Sequence, residues 1–338
     1  MNTKQIVFIF IAGFMSFYSH QSKALNCGDV ITTNTALTAD LHCDTGWYAL
    51  EIGADNITLN LNGHTISGTN DLNGINVHHR NKVRIKGNGG ALKGFRAGIS
   101  IVHSNLTQVW GTLFYDMEIG LWVSSSNDSH IEKNDFIYME SIGVFIANYE
   151  AGFSASRNTV HNNNFYKNYD AINLCGKSSI ENTISNNLLW KSDRFGIHLT
   201  HSDQNIIKYN DILETNEDAI QLDFSSYNQI ISNTLKGGRN GLEINAYSWG
   251  GCEESRNTHS IKNVYNGNHT FNFEVGIELG NGHTKFSLVS SNSLNNNKIY
   301  NNQTGIIFNS EAHNNNATAN AYTGTITPVV DSGVENSY

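Results

Sequence analysis

A short pattern recurs ten times along this chain: a glycine or alanine, a branched apolar residue, a variable residue and another apolar residue. The copies begin at Gly74, Gly98, Gly120, Gly143, Ala171, Gly196, Ala219, Gly241, Gly276 and Gly305, at intervals of 22 to 35 residues. The alternation inside each copy predicts a short β-strand, and the usual interval leaves no room for a helix between strands. Repeated strands of this kind stack in parallel. The sequence therefore predicts an all-β fold, a right-handed single-stranded parallel β-helix (a solenoid) of about ten coils.

A second pattern precedes the copies in the middle of the chain, where one asparagine follows another after five residues. The pairs are Asn158 with Asn163, Asn182 with Asn187, Asn205 with Asn210, and Asn228 with Asn233. Asparagines stacked at the bends of a solenoid can bond to each other and to the turn backbone. We therefore interpret them as a structural ladder and not as a binding motif. A leucine-rich repeat would need a helix, and a closed sandwich would not repeat in register.

The N-terminus is typical of an export signal. Lys4 precedes an apolar run from Ile6 to Tyr18, and Ser22-Lys23-Ala24 has the small-x-small pattern that signal peptidase recognises. The run is shorter than the roughly 20 residues of a membrane helix, and no later stretch approaches that length, so no transmembrane segment is predicted. We expect cleavage near Ala24 and a secreted or periplasmic protein. The predicted division is a signal peptide over 1–24, an N-terminal cap segment over 25–54, the β-helix over 55–315, and a C-terminal cap or tail over 316–338.

Four cysteines in an exported chain are expected to form disulfides. Cys27 and Cys43 are the best pair, because they enclose a short segment ahead of the first repeat, where a solenoid end lacks a neighbour. Cys175 and Cys252 could pair only if the long loop around Cys252 folds back.

The charge balance limits the partners. The net charge is −9, and loss of Lys4 and Lys23 with the signal would leave −11. Such a field opposes nucleic-acid binding. A polysaccharide is the expected partner, and an acidic one would need local arginines.

The run CGDVITTNTALTADLHC, followed by LEIGADNITLNLNGHTISGT and the repeats, resembles the exported bacterial right-handed parallel β-helix repeat family. This family belongs to the pectin-lyase-like superfamily, with pectate lyases, polygalacturonases, alginate epimerases and the NosD-type periplasmic proteins of copper-enzyme maturation. The resemblance covers nearly the whole mature chain and implies the fold, but one fold hosts many activities. The motif set of polygalacturonases, the Asp-Pro-His-Asp motif of alginate epimerases and a dense aspartate cluster for calcium are all missing.

Within each copy the third residue is expected to point outward. The resulting column is Asn76, Ser100, Trp122, Phe145, Asn173, His198, Gln221, Glu243, Glu278 and Ile307. Trp122 and Phe145 form an aromatic step beside a polar run, a combination typical of sugar binding. We predict a substrate-binding groove over the coils of Asn173, His198 and Gln221, with Glu243 beside them.

Three long insertions follow the copies at Gly143, Gly241 and Gly276 and leave the same corner of the coil. Long loops on a rigid repeat tend to carry function. We expect them to wall the groove with Tyr149, Phe153, Tyr247 and Trp249. The alternative is that they only cap strand edges.

Candidate catalytic groups lie in the same coils. His198 is a candidate base, and Arg194 and Arg239, in a second outward column, could neutralise the carboxylate of a uronate. Asp223 and Glu243 are the better-placed exposed carboxylates. Asp170 and Asp218 occupy an inward-facing column and are interpreted as structural.

These features favour a polysaccharide-active protein on an acidic glycan, a lyase or epimerase before a hydrolase. The alternatives are a non-catalytic glycan-binding or surface-structural β-helix, and a NosD-like accessory protein of metal maturation. His78-His79 and His198-x-x-His201 are the closest histidine groupings, but neighbouring strand residues face opposite ways, so no metal site and no cofactor is predicted.

Overall fold

The computed structural model describes residues 24–148, 150–246, 259–280 and 288–338. It is an all-β parallel solenoid of about twelve turns, so the predicted fold class is confirmed and the turns slightly outnumber the ten sequence copies. The turns have three faces, here called sheets 1, 2 and 3, and four long strands that run through both sheet 1 and sheet 3 join these two into one 21-stranded sheet. Within the described ranges, no helix has the length and hydrophobicity that a membrane crossing requires.

Sheet 1 contains the strands of the repeated four-residue pattern. Its members are Asp29–Ile31, Tyr48–Ile52, Asn73–His78, Ala97–Val102, Asp170–Cys175, Ile197–Thr200, Ile220–Asp223, Thr304–Phe308 and Thr327–Asp331, with the C-terminal parts of Leu113–Ser124, Asp135–Ala147, Thr234–Asn245 and His269–Leu279.

Sheet 2 contains the first strand of each turn, followed along the chain by the strands of sheets 3 and 1. Its strands are Thr35–Ala36, Thr58–Asn60, Arg84–Lys86, Gln108–Trp110, His130–Glu132, Thr159–His161, Thr183–Ser185, Ile206–Lys208, Gln229–Ile231, Val264–Asn266 and Ser293–Asn295.

Sheet 3 connects sheet 2 to sheet 1 within each turn. Its strands are Leu41–His42, Thr65–Ser67, Ala91–Lys93, Asn164–Tyr166, Leu188–Trp190, Asp211–Leu213, Lys298–Tyr300 and Ala321–Thr323, with the N-terminal parts of the four long strands of sheet 1. A small separate sheet contains His259–Ile261, Leu288–Ser290 and Ala312–His313.

The register of sheet 1 stacks the variable residues of the pattern on one another. The aligned positions run through Glu51, Asn76, Ser100, Trp122, Phe145, Asn173, His198, Gln221, Glu243, Glu278, Ile307 and Val330. Two of these positions lie beyond the ten copies. Glu51 belongs to Ala49-Leu50-Glu51-Ile52, an additional copy of the pattern, and Val330 follows Pro328 in the glycine position.

A small residue begins each copy because the coil above approaches closely. A Cβ atom built on Gly120 would lie 2.5 Å from the Phe136 ring, and one on Gly143 would lie 2.5 Å from the carbonyl oxygen of Ala171. Phe136 in turn stacks between Phe114 and Phe165 in the bore, with ring centres 4.6 and 4.8 Å apart. The bore is therefore filled by stacked apolar side chains, and the glycines make room for them.

The asparagines form ladders, as predicted. In each step the side-chain oxygen of one asparagine accepts the backbone N–H of its equivalent one turn earlier; Asn163 donates to Asn187 Oδ1 at 2.9 Å, and Asn187 donates to Asn210 Oδ1 at 3.0 Å. The side-chain amide of Asn187 also donates to the carbonyl of Val160 at 3.0 Å. The bonds from the backbone N–H groups satisfy donors at corners between strands. The two ladders extend through Asn263, Asn268, Asn292, Asn297, Asn315, Asn320 and Asn336.

The first predicted disulfide is present. Cys27 and Cys43 are bonded with an S–S distance of 2.05 Å, next to the first strands of the solenoid. The second predicted pairing involves Cys252, which lies outside the described residues.

Replacement of a ladder asparagine is expected to destabilise the solenoid strongly. Asn187→Ala leaves the N–H of Asn163 buried without a partner and removes the side-chain bonds to the Val160 carbonyl and to Asn210 Oδ1, so we expect a loss of about 3 kcal/mol in the free energy of unfolding. Urea unfolding measures this loss. Asn164→Ala, which removes one exposed side-chain bond to Asp135, is the matched control and should cost about 0.5 kcal/mol or less. Equal losses in the two variants would contradict the structural role of the ladder.

Candidate functional site

The outer face of sheet 1 carries a polar stretch over five successive turns. We call it the floor and define it by Asn173, His198, Gln221, Glu243 and Glu278, which stack in register. Neighbouring turns of a sheet lie about 4.8 Å apart, so each of these side chains contacts the next.

The floor side chains are more buried than the sequence suggested. Asp223 and Glu243, expected to be exposed carboxylates, are only 2% and 3% exposed. Asn173 and Gln221 are buried as well, and the side chain of His198 retains 12% exposure. Pointing outward from a strand therefore did not mean exposure to solvent, because the stacked polar groups cover one another.

His198 and Asp223 form a hydrogen-bonded pair at the centre of the floor. His198 Nε2 lies 2.8 Å from Asp223 Oδ2, and Thr200 Oγ1 lies 3.0 Å from the same nitrogen. The Gln221 side-chain amide donates to both oxygens of Asp223, at 3.0 and 3.1 Å. Burial raises the pKa of Asp223, while the bonds from His198 and Gln221 lower it.

The opposite side of the His198 ring is much less constrained. Nδ1 of His198 faces the Asn173 side-chain amide at 3.4 Å, which is a long contact. A tautomer that donates from Nε2 to Asp223 leaves a lone pair on Nδ1. This nitrogen is the one that can accept a proton.

The two arginines predicted to be catalytic, Arg194 and Arg239, form ion pairs with the buried aspartates Asp170 and Asp218. Arg194 binds Asp170 through Nε, at 2.9 Å, and through Nη2. Arg239 binds Asp218 in the same way, at 3.2 and 2.9 Å. Asp170 and Asp218 are fully buried. Their main partners are the arginines of the next turn and not the turn backbone that was expected; within the described residues, only Asp170 of the two also accepts a backbone N–H, from Phe195.

Both guanidinium groups remain partly accessible. The side chains of Arg194 and Arg239 are 29% and 47% exposed, and Nη1 of each forms no hydrogen bond within the described residues. Arg194 also lies over the ring of Tyr169, at 4.8 Å. Each arginine is thus oriented by a buried carboxylate, and its Nη1 can donate hydrogen bonds to a ligand.

An acidic network continues from Arg239 toward the C-terminal end of the floor. Glu243 accepts a bond from Arg239 at 2.7 Å and one from the Asn240 amide at 3.1 Å, and the same amide donates to Glu278 at 3.0 Å. Burial, followed by the nearby Glu243, raises the pKa of Asp218 well above its usual value despite Arg239, and raises that of Glu278 as well.

The aromatic step beside the floor is present, but the described part of the expected groove wall lies elsewhere. Trp122 and Phe145 stack next to the floor with ring centres 6.4 Å apart. The insertion after Gly143, however, folds toward earlier turns, where Phe153 contacts the ring of His103 at 4.5 Å and Glu150 lies 3.2 Å from His103. Phe153 therefore does not stand over the floor as predicted. Tyr149, Tyr247 and Trp249 lie outside the described residues.

The arginine–aspartate pairs were missed by sequence reasoning. The signal was available, because Arg194 and Arg239 follow Asp170 and Asp218 by 24 and 21 residues, close to one turn of the repeat. The hydrogen bonds of the Asn240 amide to Glu243 and Glu278 could not be predicted in this way, because no repeat spacing indicates them.

The family of NosD, a periplasmic copper-binding protein, matches residues 138–252. The chain contains a NosD-type parallel β-helix repeat domain. The matched segment includes the turns of Asn173, His198, Gln221 and Glu243. No curated protein matches the sequence significantly.

Solved structures with the same fold are distant in sequence from this chain. The periplasmic alginate epimerase AlgG is 14% identical, with a TM-score of 0.57 over 91% of this chain and 77% of that one. PfbA, a surface adhesin of Streptococcus pneumoniae, is 11% identical, with a TM-score of 0.62 over 90% and 83%. The tailspike of Escherichia coli bacteriophage HK620, solved with a pentasaccharide, is 8% identical, with a TM-score of 0.62 over 87% and 67%. At these identities the likeness shows the fold alone.

Copper, which the family description implies, does not fit the histidines of the described ranges. His79 and His103 stack with ring planes 13° apart and centres 4.9 Å apart, and His201 stacks on Phe224, so these rings do not converge on a point. His78 contacts Ser100. No group of three or more His, Cys, Asp or Glu side chains in the described part of the chain could hold a metal ion.

The raised pKa of Glu278 predicts a dependence of stability on pH. Because the folded state holds this proton more tightly than the unfolded state, stability should fall as pH rises from the usual glutamate pKa through the raised one. Glu278→Gln removes this loss. Relative to the parent chain, the free energy of unfolding of the variant should rise as the pH increases above the ordinary pKa of glutamate.

Urea unfolding at several pH values measures the difference. Glu274→Gln, at an exposed position of the same strand, is the control for removal of one negative charge. A constant difference between Glu278→Gln and the parent would contradict the raised pKa.

Proposed function

We propose that this protein is a secreted or periplasmic polysaccharide-active β-helix protein that acts as a lyase or epimerase on an acidic glycan. The observation that carries the proposal is the His198–Asp223 pair on the floor, close to arginines that each keep an unused edge. The substrate class is a polymer that contains uronate.

Both reactions begin with the same proton transfer. His198 Nδ1 removes the proton at C5 of the uronate, and Asp223 stabilises the imidazolium through Nε2. Bonding of the substrate carboxylate to Nη1 of Arg194 or Arg239 favours the carbanion that forms. In elimination, the electron pair at C5 forms a double bond to C4, the C4–O bond breaks, and the departing oxygen takes a proton from the His198 imidazolium. In epimerisation, water donates a proton to C5 from the other face, and the His198 imidazolium returns its proton to the hydroxide that remains.

Hydrolysis is less well supported by the floor. It requires two accessible carboxyl groups, one of which acts as acid. Asp218 is fully buried, and Glu243 is 3% exposed and bonded to Arg239, Asn240 and Asn245.

The structural neighbours are consistent with the substrate class. AlgG is an alginate epimerase, and the HK620 tailspike binds a pentasaccharide. Both share the parallel β-helix, and the polar side chains on the outer face of sheet 1 are of the kind that bonds sugar hydroxyls.

A second candidate is a glycan-binding β-helix without catalysis. Its support is that the floor groups are bonded to one another: Asn173 to His198, Gln221 to Asp223, and Asn240 to Glu243 and Glu278. A surface so arranged is preorganised for binding. The adhesin PfbA has the same fold.

The proposed chemistry predicts loss of turnover without loss of binding in His198→Ala. Incubation with alginate, polygalacturonate and glycosaminoglycans, followed by the ultraviolet absorbance of unsaturated uronate products, tests elimination. Exchange of the C5 hydrogen with deuterium from the solvent, followed by NMR, tests epimerisation. We expect the rate on the accepted polymer to fall by a factor of about 10² to 10⁴, because a positioned base contributes that much.

His313→Ala, at a partly exposed position near the C-terminal end, is the control and should retain the rate. Binding with neither product nor exchange for the parent chain would support the non-catalytic candidate. Absence of both binding and turnover on every acidic polymer would overturn the proposed function.

A further inference from the structure

The outer face of sheet 3 carries a line of aromatic side chains that the floor does not use. Tyr115, Ile137, Tyr166 and Trp190 stack at equivalent positions on four successive turns. Tyr138, at the corner after Ile137, fills the gap in the line. Its ring centre is 5.8 Å from that of Tyr115 and 5.9 Å from that of Tyr166, which in turn lies 5.0 Å from Trp190. We call Tyr115, Tyr138, Tyr166 and Trp190 the aromatic track.

The track is exposed although the same turns already have an aromatic core. Tyr138 and Trp190 are 40% and 39% exposed. Directly inside, Phe114, Phe136 and Phe165 stack in the bore and are fully buried. The outer rings are therefore not needed to fill the interior, and large exposed apolar groups in a line indicate an interaction surface.

Lysines accompany the rings. Lys167 Nζ lies 5.5 Å from the ring centres of both Tyr138 and Tyr166, and Lys191 Nζ lies 4.8 Å from that of Trp190. Glu214 lies 3.8 Å from Lys191 and accepts the indole N–H of Trp190, which fixes that ring. Lys167 forms no ion pair with the described residues, so its charge is available to a ligand.

We propose that the aromatic track is a second glycan-binding site, separate from the floor, that holds a segment of an acidic polysaccharide. Sugar rings pack their CH-rich faces on aromatic rings, and carboxylate groups on the polymer pair with Lys167. The first and last of the four turns lie about 14 Å apart along the solenoid axis. This length suits an oligosaccharide segment better than a single sugar. This binding does not depend on the chemistry proposed for His198.

The chain offers a matched control. Tyr227 also occupies a left-handed corner, with φ of 59°, as does Tyr138 with the same value. It is 45% exposed and has Lys262 Nζ 5.4 Å from its ring centre. It differs from Tyr138 in lying outside the aromatic track.

The test measures binding of sodium alginate and polygalacturonate, with dextran as the neutral polymer, by affinity electrophoresis. All variants are made in the His198→Ala background, so the polymer is not consumed. We expect Tyr138→Ala and Trp190→Ala each to weaken binding of an acidic polymer about tenfold, and Tyr227→Ala to leave it unchanged. Lys167→Ala should weaken binding of the acidic polymer alone and reduce its dependence on salt.

Unfolding midpoints of the variants establish that they fold, and Lys167→Ala tests the site without removing a ring. Equal binding by Tyr138→Ala, Trp190→Ala and Tyr227→Ala would overturn the proposal. Equal binding of acidic and neutral polymers, with no effect of Lys167→Ala, would overturn the assignment to an acidic ligand. Failure of the function proposed for the floor is seen separately, as absence of turnover by the parent chain with track binding intact.

Discussion

In-register stacking of parallel turns, about 4.8 Å apart, is the constraint on which the rest of this structure depends. Each side chain lies on its equivalent in the turns before and after it. Side chains that interact favourably with an identical side chain suit this arrangement. Asn163, Asn187 and Asn210 form a hydrogen-bonded ladder. Phe114, Phe136 and Phe165 form a stack of rings. The repeat in the sequence is the direct result of this requirement.

Stacking places identical charges next to each other, where they repel. The floor shows which groups reduce this repulsion. Glu243 and Glu278 are neighbours in one column and would repel each other. The Asn240 amide bonds to both, and Arg239 bonds to Glu243 and to the buried Asp218. The remaining repulsion and burial appear as raised pKa values of Asp218 and Glu278. A turn that departs from the repeat in this way requires compensating groups, which is a reason to look for function there.

The sequence predicted the features that repeat and missed those that depend on one contact. Spacing alone placed Trp122, Asn173 and Glu243 in one outward column, because each strand alternates and the turns stack in register. It did not predict the burial of Asp223 and Glu243, since burial depends on how neighbouring side chains fold over one another. It also overlooked the aromatic track, because Tyr138 leaves the column of Ile137 and joins the line from a left-handed corner. The direction of the insertion after Gly143 depends on a contact of Phe153 with His103, which no periodicity encodes.

The two proposed binding surfaces have a common physical origin. The bore and the asparagine ladders stabilise each turn from inside and at its corners, so outward positions can vary without loss of the fold. On sheet 1 this freedom is used for polar groups that bond to one another, and on sheet 3 for rings that remain exposed. Tyr169, 43% exposed, stands at the corner between the two surfaces and contacts Arg194. Two turns that carry the aromatic track, those of Tyr166 and Trp190, also carry Asn173 and His198 of the floor, so the two proposed surfaces are separated by one corner of the same turns.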